Sequence, residues 1–463
     1  MTKKTRSMVL GALVALVFFV SDGATGQGGM AASLPCLGAQ STSDLAAAWF
    51  PTDGEIQWRA GKEALEARRW AEAVCYLSKA ESLFGPSATL LLNLGDALNG
   101  SGDLPAATQR WEAALALNPR FEPALERLRA ADEADAQWPS LERILQTWLA
   151  LHPHDLAAEN QLAEVTAALN PQEAQALLGE WGPGGKLPTA QLAQLNTTIQ
   201  DSEKQGGSAY AYARVGELLL QRGEWALART ALQEAVRENP AYGEAFAYLG
   251  YALEQSGQPA QWALQQAIAL SPGDGITHFL YGSFLARQGE IPLARRELTL
   301  SWDLGPKSAL IASQLGALEY SAGNWTAAAG WYAQGVKLFP SDEAAWIGQA
   351  EFSFESQMQV EETGIPAARE AAILAPHDPQ AIDLLGFGWF LTGDLPTAEK
   401  LFWNALELNP TYAPAFLHLG MVAETRNDTP LAVGFYRQVI ALDPQGPMGQ
   451  SAQKRIENLG AIR

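Results

Sequence analysis

Cysteine is almost missing from this chain: Cys36 and Cys75 are the only two in 463 residues. That scarcity excludes a disulfide-built scaffold, a four-cysteine zinc site and a cysteine-ligated iron–sulfur cluster. Histidine is scarce as well, at five, and His152 and His154 bracket Pro153 in a stretch read as a turn rather than a metal site. None of HExxH, CxxC, GxSxG or GxxxxGK[ST] occurs, so zinc hydrolysis, dithiol redox, serine-hydrolase and P-loop chemistry all lack their signatures. Basic residues are outnumbered, 31 against 51 acidic, for a formal net charge of -20. Nucleic acid needs clustered Lys and Arg to neutralise phosphate, and is set aside as a partner. An acidic surface favours solubility and basic partners. These absences together read as a non-enzymatic chain with no cofactor and no metal.

A long apolar run is also lacking. Met8–Val20 counts 13 residues, apolar except for Gly11, short of the roughly 17–25 that span a bilayer. Lys3, Lys4 and Arg6 precede it, and small Ala24 and Gly26 follow, which is the layout of an export signal. Residues 1–26 are therefore read as a signal peptide cleaved before Gln27, or as an N-terminal anchor if they are kept. Either way the chain is expected in the periplasm, outside the cell, or at the outer side of the cytoplasmic membrane. Two cysteines in an exported chain can pair; a Cys36–Cys75 bond would staple an extended arm, 27–53, to the first helical unit. A buried free thiol at Cys75 is the alternative.

What the chain does have is internal repetition. Gly386 and Pro410 lie 24 residues apart, and the same pair recurs as Gly95/Pro119, Gly216/Pro240, Gly282/Pro306, Gly316/Pro340 and Gly420/Pro444. Gly250/Pro272 is two residues shorter. A second glycine follows seven residues after the first, at Gly102, Gly223, Gly257, Gly289, Gly323 and Gly393. Five residues further on comes alanine (Ala107, Ala228, Ala294, Ala328, Ala398, Ala432), and four beyond that a large apolar residue such as Trp111, Tyr332, Phe402 or Tyr436. The first glycine lets two helices approach closely, the second supplies the positive φ that ends a helix, and proline stops the next.

This pattern resembles the tetratricopeptide repeat family, whose 34-residue helix–turn–helix units carry W-x2-L-G-x2-Y…A-x3-F…P. The resemblance implies an all-α, right-handed superhelix, in which stability comes from neighbouring units stacking. Units are assigned to 54–87, 88–121, 122–155, 156–187, 209–242, 243–274, 275–308, 309–342, 343–378, 379–412 and 413–446. The phase breaks at 188–208, which reads as a linker with one orphan helix. Two blocks are expected, 54–187 and 209–446, joined at a bend and closed by a capping helix and tail over 447–463.

In this family the first helices of successive units line a groove for a protein or peptide, usually through unit positions 2, 5, 9, 12 and 13. On this chain those positions bring Tyr251, Phe279, Tyr320, Phe354, Phe387 and Phe390 to the groove as an aromatic stripe, where aromatics dominate binding energy. The competing reading packs them between first helices as core. The resemblance implies a protein–protein interaction scaffold, with an assembly or export factor for envelope or surface-polymer machinery as the alternative. Trp70, Trp225 and Trp325, three of the fifteen tryptophans, fall at position 17 and are read as helix-to-helix packing.

Overall fold

The computed structural model describes residues 41–182 and 187–461, and among them every regular element is helical. The stretch 1–26 read as an export signal, Cys36 and the arm before residue 41 lie outside the described residues. Two compact units divide between Ala131 and Asp132; the segment 188–208, expected as the junction, lies within the second.

Each unit is built of helix–turn–helix pairs. In the first, Gly54–Glu66 packs with Trp70–Phe84 and Ala88–Gly100 with Leu104–Leu117. In the second, the regular pairs include Gly275–Arg287 with Ile291–Leu304, Ala309–Ser321 with Trp325–Leu338, Pro379–Leu391 with Leu395–Leu408, and Ala413–Thr425 with Thr429–Leu442. Their boundaries fall where the repeat arithmetic puts them.

The glycine at position 8 is explained by volume. A methyl on Gly95 would stand 2.4 Å from Trp111 Nε1, on Gly386 2.7 Å from Phe402 Cε1, and on Gly420 2.3 Å from Tyr436 Cε1. Gly216, Gly250, Gly282 and Gly316 face Leu232, Leu264, Leu298 and Tyr332 in the same way. The large residue of the second helix thus lies across the glycine of the first. Gly61 does the same under Leu77; the sequence pattern passes over it because Gly85, not proline, closes that unit.

Position 15 is a rule about backbone rather than about glycine. Gly102, Gly223, Gly257, Gly289, Gly323 and Gly393 have φ between 66° and 90°. Where glycine is absent the left-handed conformation persists, with φ of 56° at Arg68, 54° at Ala136, 55° at Gln357 and 59° at Asn427. Side chains then cap the helices. Asp103, Asp394 and Asp428 accept the backbone N–H of Ala106, Thr397 and Leu431 at second-helix starts.

Three regions depart from expectation. The arm ascribed to 27–53 is not extended over its last part: Thr42–Trp49 is a helix, opened by a reciprocal capping box between Ser41 and Asp44. Buried Asp44 accepts from Arg69 Nη1 at 2.7 Å, and Gln57 Nε2 donates to Ala47 O at 2.7 Å, which fixes this helix on the first pair. The orphan segment is helical, but Ala190–Gln221 runs straight into the next first helix across a kink at Gly207 (φ 74°). It is bound in by Tyr212, whose hydroxyl donates to Leu169 O at 2.9 Å, and by Arg222, which donates to Gln191 O at 3.0 Å. The two extra residues of unit 343–378 form a π-helical turn, Val360–Gly364, before the second helix Ile365–Leu374.

Pro410 and Pro444 are both exposed and stand two residues past helices that end at Leu408 and Leu442, the place of a residue that cannot continue a helix. Pro410 opens a turn in which Tyr412 N donates to Asn409 O at 3.0 Å just ahead of the next first helix. Beside Pro444 the Asp443 carboxylate accepts the N–H groups of Met448 and Gly449 at 3.0 and 3.2 Å. Pro444 is left on the rim of a surface hollow with Ile440 and Lys454.

At the end, Pro447–Ala461 is a helix that covers the last pair with Ala452, Ile456 and Leu459. Arg455 Nη1 reaches Glu424 Oε2 at 3.0 Å, and the Tyr436 hydroxyl donates to the same oxygen at 2.6 Å. Cys75, in the second helix of the first pair, is disulfide-bonded.

Candidate interaction face

The first helices bring the six groove residues to unequal depths. Phe354 is buried, 3 % exposed. A methyl on Gly364 or Gly388 would come within 2.5 and 2.6 Å of its ring, so Phe354 is core and no part of a groove surface. Tyr320 is half-buried, edge-on to Phe352 at 5.6 Å. Phe387 stacks on His418 at 4.8 Å and on Phe390 at 6.1 Å, and meets Phe354 edge-on. Tyr251 meets Trp225 edge-on at 6.0 Å. These four half-buried rings pack against their own and neighbouring units, as the core reading of the stripe required.

Phe279 differs. With Ile276, Pro306, Leu310, Ile311 and Ser301 it lines an apolar cleft of about 200 Å³ between units 275–308 and 309–342. Ile276 and Leu310, both at position 2, are 40 % and 57 % exposed. The cleft exists because two backbones meet where side chains are missing: a methyl on Gly275 would lie 2.5 Å from Gly305 Cα. Buried His278 holds this corner, its Nε2 hydrogen-bonded to Pro272 O at 3.0 Å and its Nδ1 to Glu297 Oε2 at 2.6 Å. Ser308 Oγ accepts from Ile311 N as a helix cap. Ser301 is fully buried and its Oγ has no hydrogen-bond partner; an unsatisfied buried hydroxyl costs about 1–3 kcal/mol.

Beside the cleft the same face turns acidic. Position 2 reads Tyr210, Glu244, Ile276, Leu310 through units 209–242 to 309–342. Desolvation, and the charges of Asp274 and Glu217, raise the Glu244 carboxyl above its ordinary value. Arg214 is ion-paired with Glu217, and Tyr210 stacks with Tyr242 at 6.2 Å. Desolvation and the charges of Glu217 and Glu244 push the Tyr248 phenol up. Further along, Asp383, also buried, accepts from His418 Nδ1 at 2.9 Å, and Glu351 is raised by desolvation and by Glu355. Among the described residues no group of three or more His, Cys, Asp or Glu is arranged to hold a metal.

A family model described as the tetratricopeptide repeat matches residues 59–120, 216–261 and 392–447. Those three stretches carry tetratricopeptide repeats. Among solved structures, yeast Tom70 is 13% identical, over 89% of this chain and 96% of that one, with a TM-score of 0.43. The APC/C hetero-tetramer Cut9–Hcn1 is 14% identical, over 90% and 99%, with a TM-score of 0.45. At those scores neither carries an argument about this chain. No curated protein matches it. The three matched stretches contain the pairs Gly95/Pro119, Gly216/Pro240 and Gly420/Pro444, while the cleft lies in repeats that the family model passes over.

Proposed function

We propose that the chain is a non-catalytic scaffold that holds an extended segment of a partner protein along the first-helix face of its tetratricopeptide repeats, outside the cytoplasm. The observation that carries this reading is the exposed apolar pair Ile276 and Leu310 beside Phe279, on the face where the repeat presents ligands rather than core. An exposed apolar pair beside a cleft marks an interaction site. Export is supported by the basic-then-apolar start, Lys3 to Val20, and by the disulfide-bonded Cys75, since disulfides persist in oxidising compartments.

Affinity capture from the envelope fraction with the full chain, read by mass spectrometry, tests the scaffold. A protein retained by the parent and lost with Ile276→Ser and Leu310→Ser at an unchanged Tm supports it; no retained protein sinks it. Recovery of the chain in the cytoplasmic fraction sinks the export part.

A further inference from the structure

Beyond a groove for an unspecified partner, the cleft at units 275–308 and 309–342 has chemistry of its own. Its walls are apolar and partly open, through Ile276, Phe279 and Leu310. Its one unsatisfied polar side-chain atom is Ser301 Oγ. One unit back along the row, the place of Ile276 is taken by Glu244, with Asp274 and Glu217 around it and only Arg214, already paired with Glu217, to offset them. The face is therefore apolar at one step and anionic at the next.

The spacing of the two steps sets the ligand. Packed helices stand about 8–10 Å apart, and an extended chain advances about 3.3 Å per residue, so one unit corresponds to about three residues. We infer that the cleft takes a large apolar side chain of an extended partner segment whose Lys or Arg, about three residues away, meets Glu244. This rests on the groove reading above and specifies its occupant. The -20 net charge of the chain selects in the same direction, against acidic segments.

The test is selection of a displayed random dodecapeptide library on the full chain, then calorimetric titration of the best synthetic peptide. The expected result is enrichment of sequences pairing Phe, Leu, Ile or Met with Lys or Arg at a separation near three. Ile276→Ser with Leu310→Ser, both exposed, weakens binding about tenfold or more. Glu244→Gln costs about two- to fivefold and flattens the salt dependence.

Peptides that enrich but are insensitive to the cleft variants overturn this inference and leave the scaffold reading standing. If no peptide enriches, both fall. Concentration-dependent dimerisation abolished by Leu310→Ser, seen by light scattering, makes a second copy the occupant and overturns it as well.

Discussion

Units 343–378 and 379–412 are neighbours that close the same joint with different chemistry. In the second, Gly386 lies under Phe402 and Gly393 turns the chain at φ 87°. In the first, position 8 holds Ala350, fully buried, and the turn is made by two non-glycine residues, Gln357 and Gln359, at φ 55° and 52°. The missing glycine has moved: Gly364, at the end of the π-helical turn, now lies against Phe354, and Gly388 of the next unit receives the same ring. The repeat is thus a rule about where a backbone must be bare beneath a ring, and the bare residue need not stay on the first helix.

The largest test of that equivalence removes the rings. Phe402→Ala and Phe354→Ala should each cost about 3–5 kcal/mol, read as a loss in denaturant midpoint. A cost below about 1 kcal/mol at Phe354 would return it to the groove and break the comparison. Next, filling the bare positions should hurt both units alike: Gly386→Ala and Gly364→Ala each lose about 1–3 kcal/mol by overpacking, and a silent Gly364→Ala would show that the glycine had not been relocated. The turns should then respond with opposite signs. Gln357→Gly relieves left-handed strain and gains about 0.5–1 kcal/mol, while Gly393→Gln loses a similar amount, in thermal unfolding.

The smallest effect is a pH contrast. Glu351 in the irregular unit is raised by desolvation and by Glu355, so its folded form holds its proton more tightly, and stability falls as pH rises from the ordinary carboxyl range through that raised value. Asp394 in the regular unit is lowered by hydrogen bonds from the Thr397 hydroxyl and backbone N–H, so its contribution is present at neutral pH and lost as pH falls through the lowered value. Glu351→Gln should therefore raise Tm at pH 7 and not below pH of about 4, whereas Asp394→Asn should lower it at pH 7. Equal shifts of one sign would remove the contrast.

Much of the fold was legible because the repeat writes volume as letters: Gly95 with Trp111, and Gly386 with Phe402, can be paired by counting. What counting missed was conformation without its usual letter. Arg68, Ala136 and Asn427 take the left-handed turn because the helices on either side impose it, and no residue type announces that. The helix Thr42–Trp49 did carry a signal, the Ser41–Asp44 capping box, which the search for a repeat passed over. Phe354 was misplaced because position 12 packs against neighbouring helices in this chain, and beside the bare Gly364 and Gly388 the ring is buried outright. The cleft needed coordinates, since Gly275 and Gly305 belong to different helices and neither stands in the repeat pattern. Phe279 was singled out from its position, but the hydroxyl of Ser301 beneath it was not.

An array of like units has ends that resemble its own joints, and Pro447–Ala461 covers one of them. Without that helix, Ala423, Tyr436 and Val439 would present the surface that any unit offers to its successor. A surface that fits something other than itself does not close into a ring of two; it adds head to tail without limit. The helix Pro447–Ala461, with Arg455 hydrogen-bonded to Glu424, covers that surface and so withholds it from head-to-tail addition.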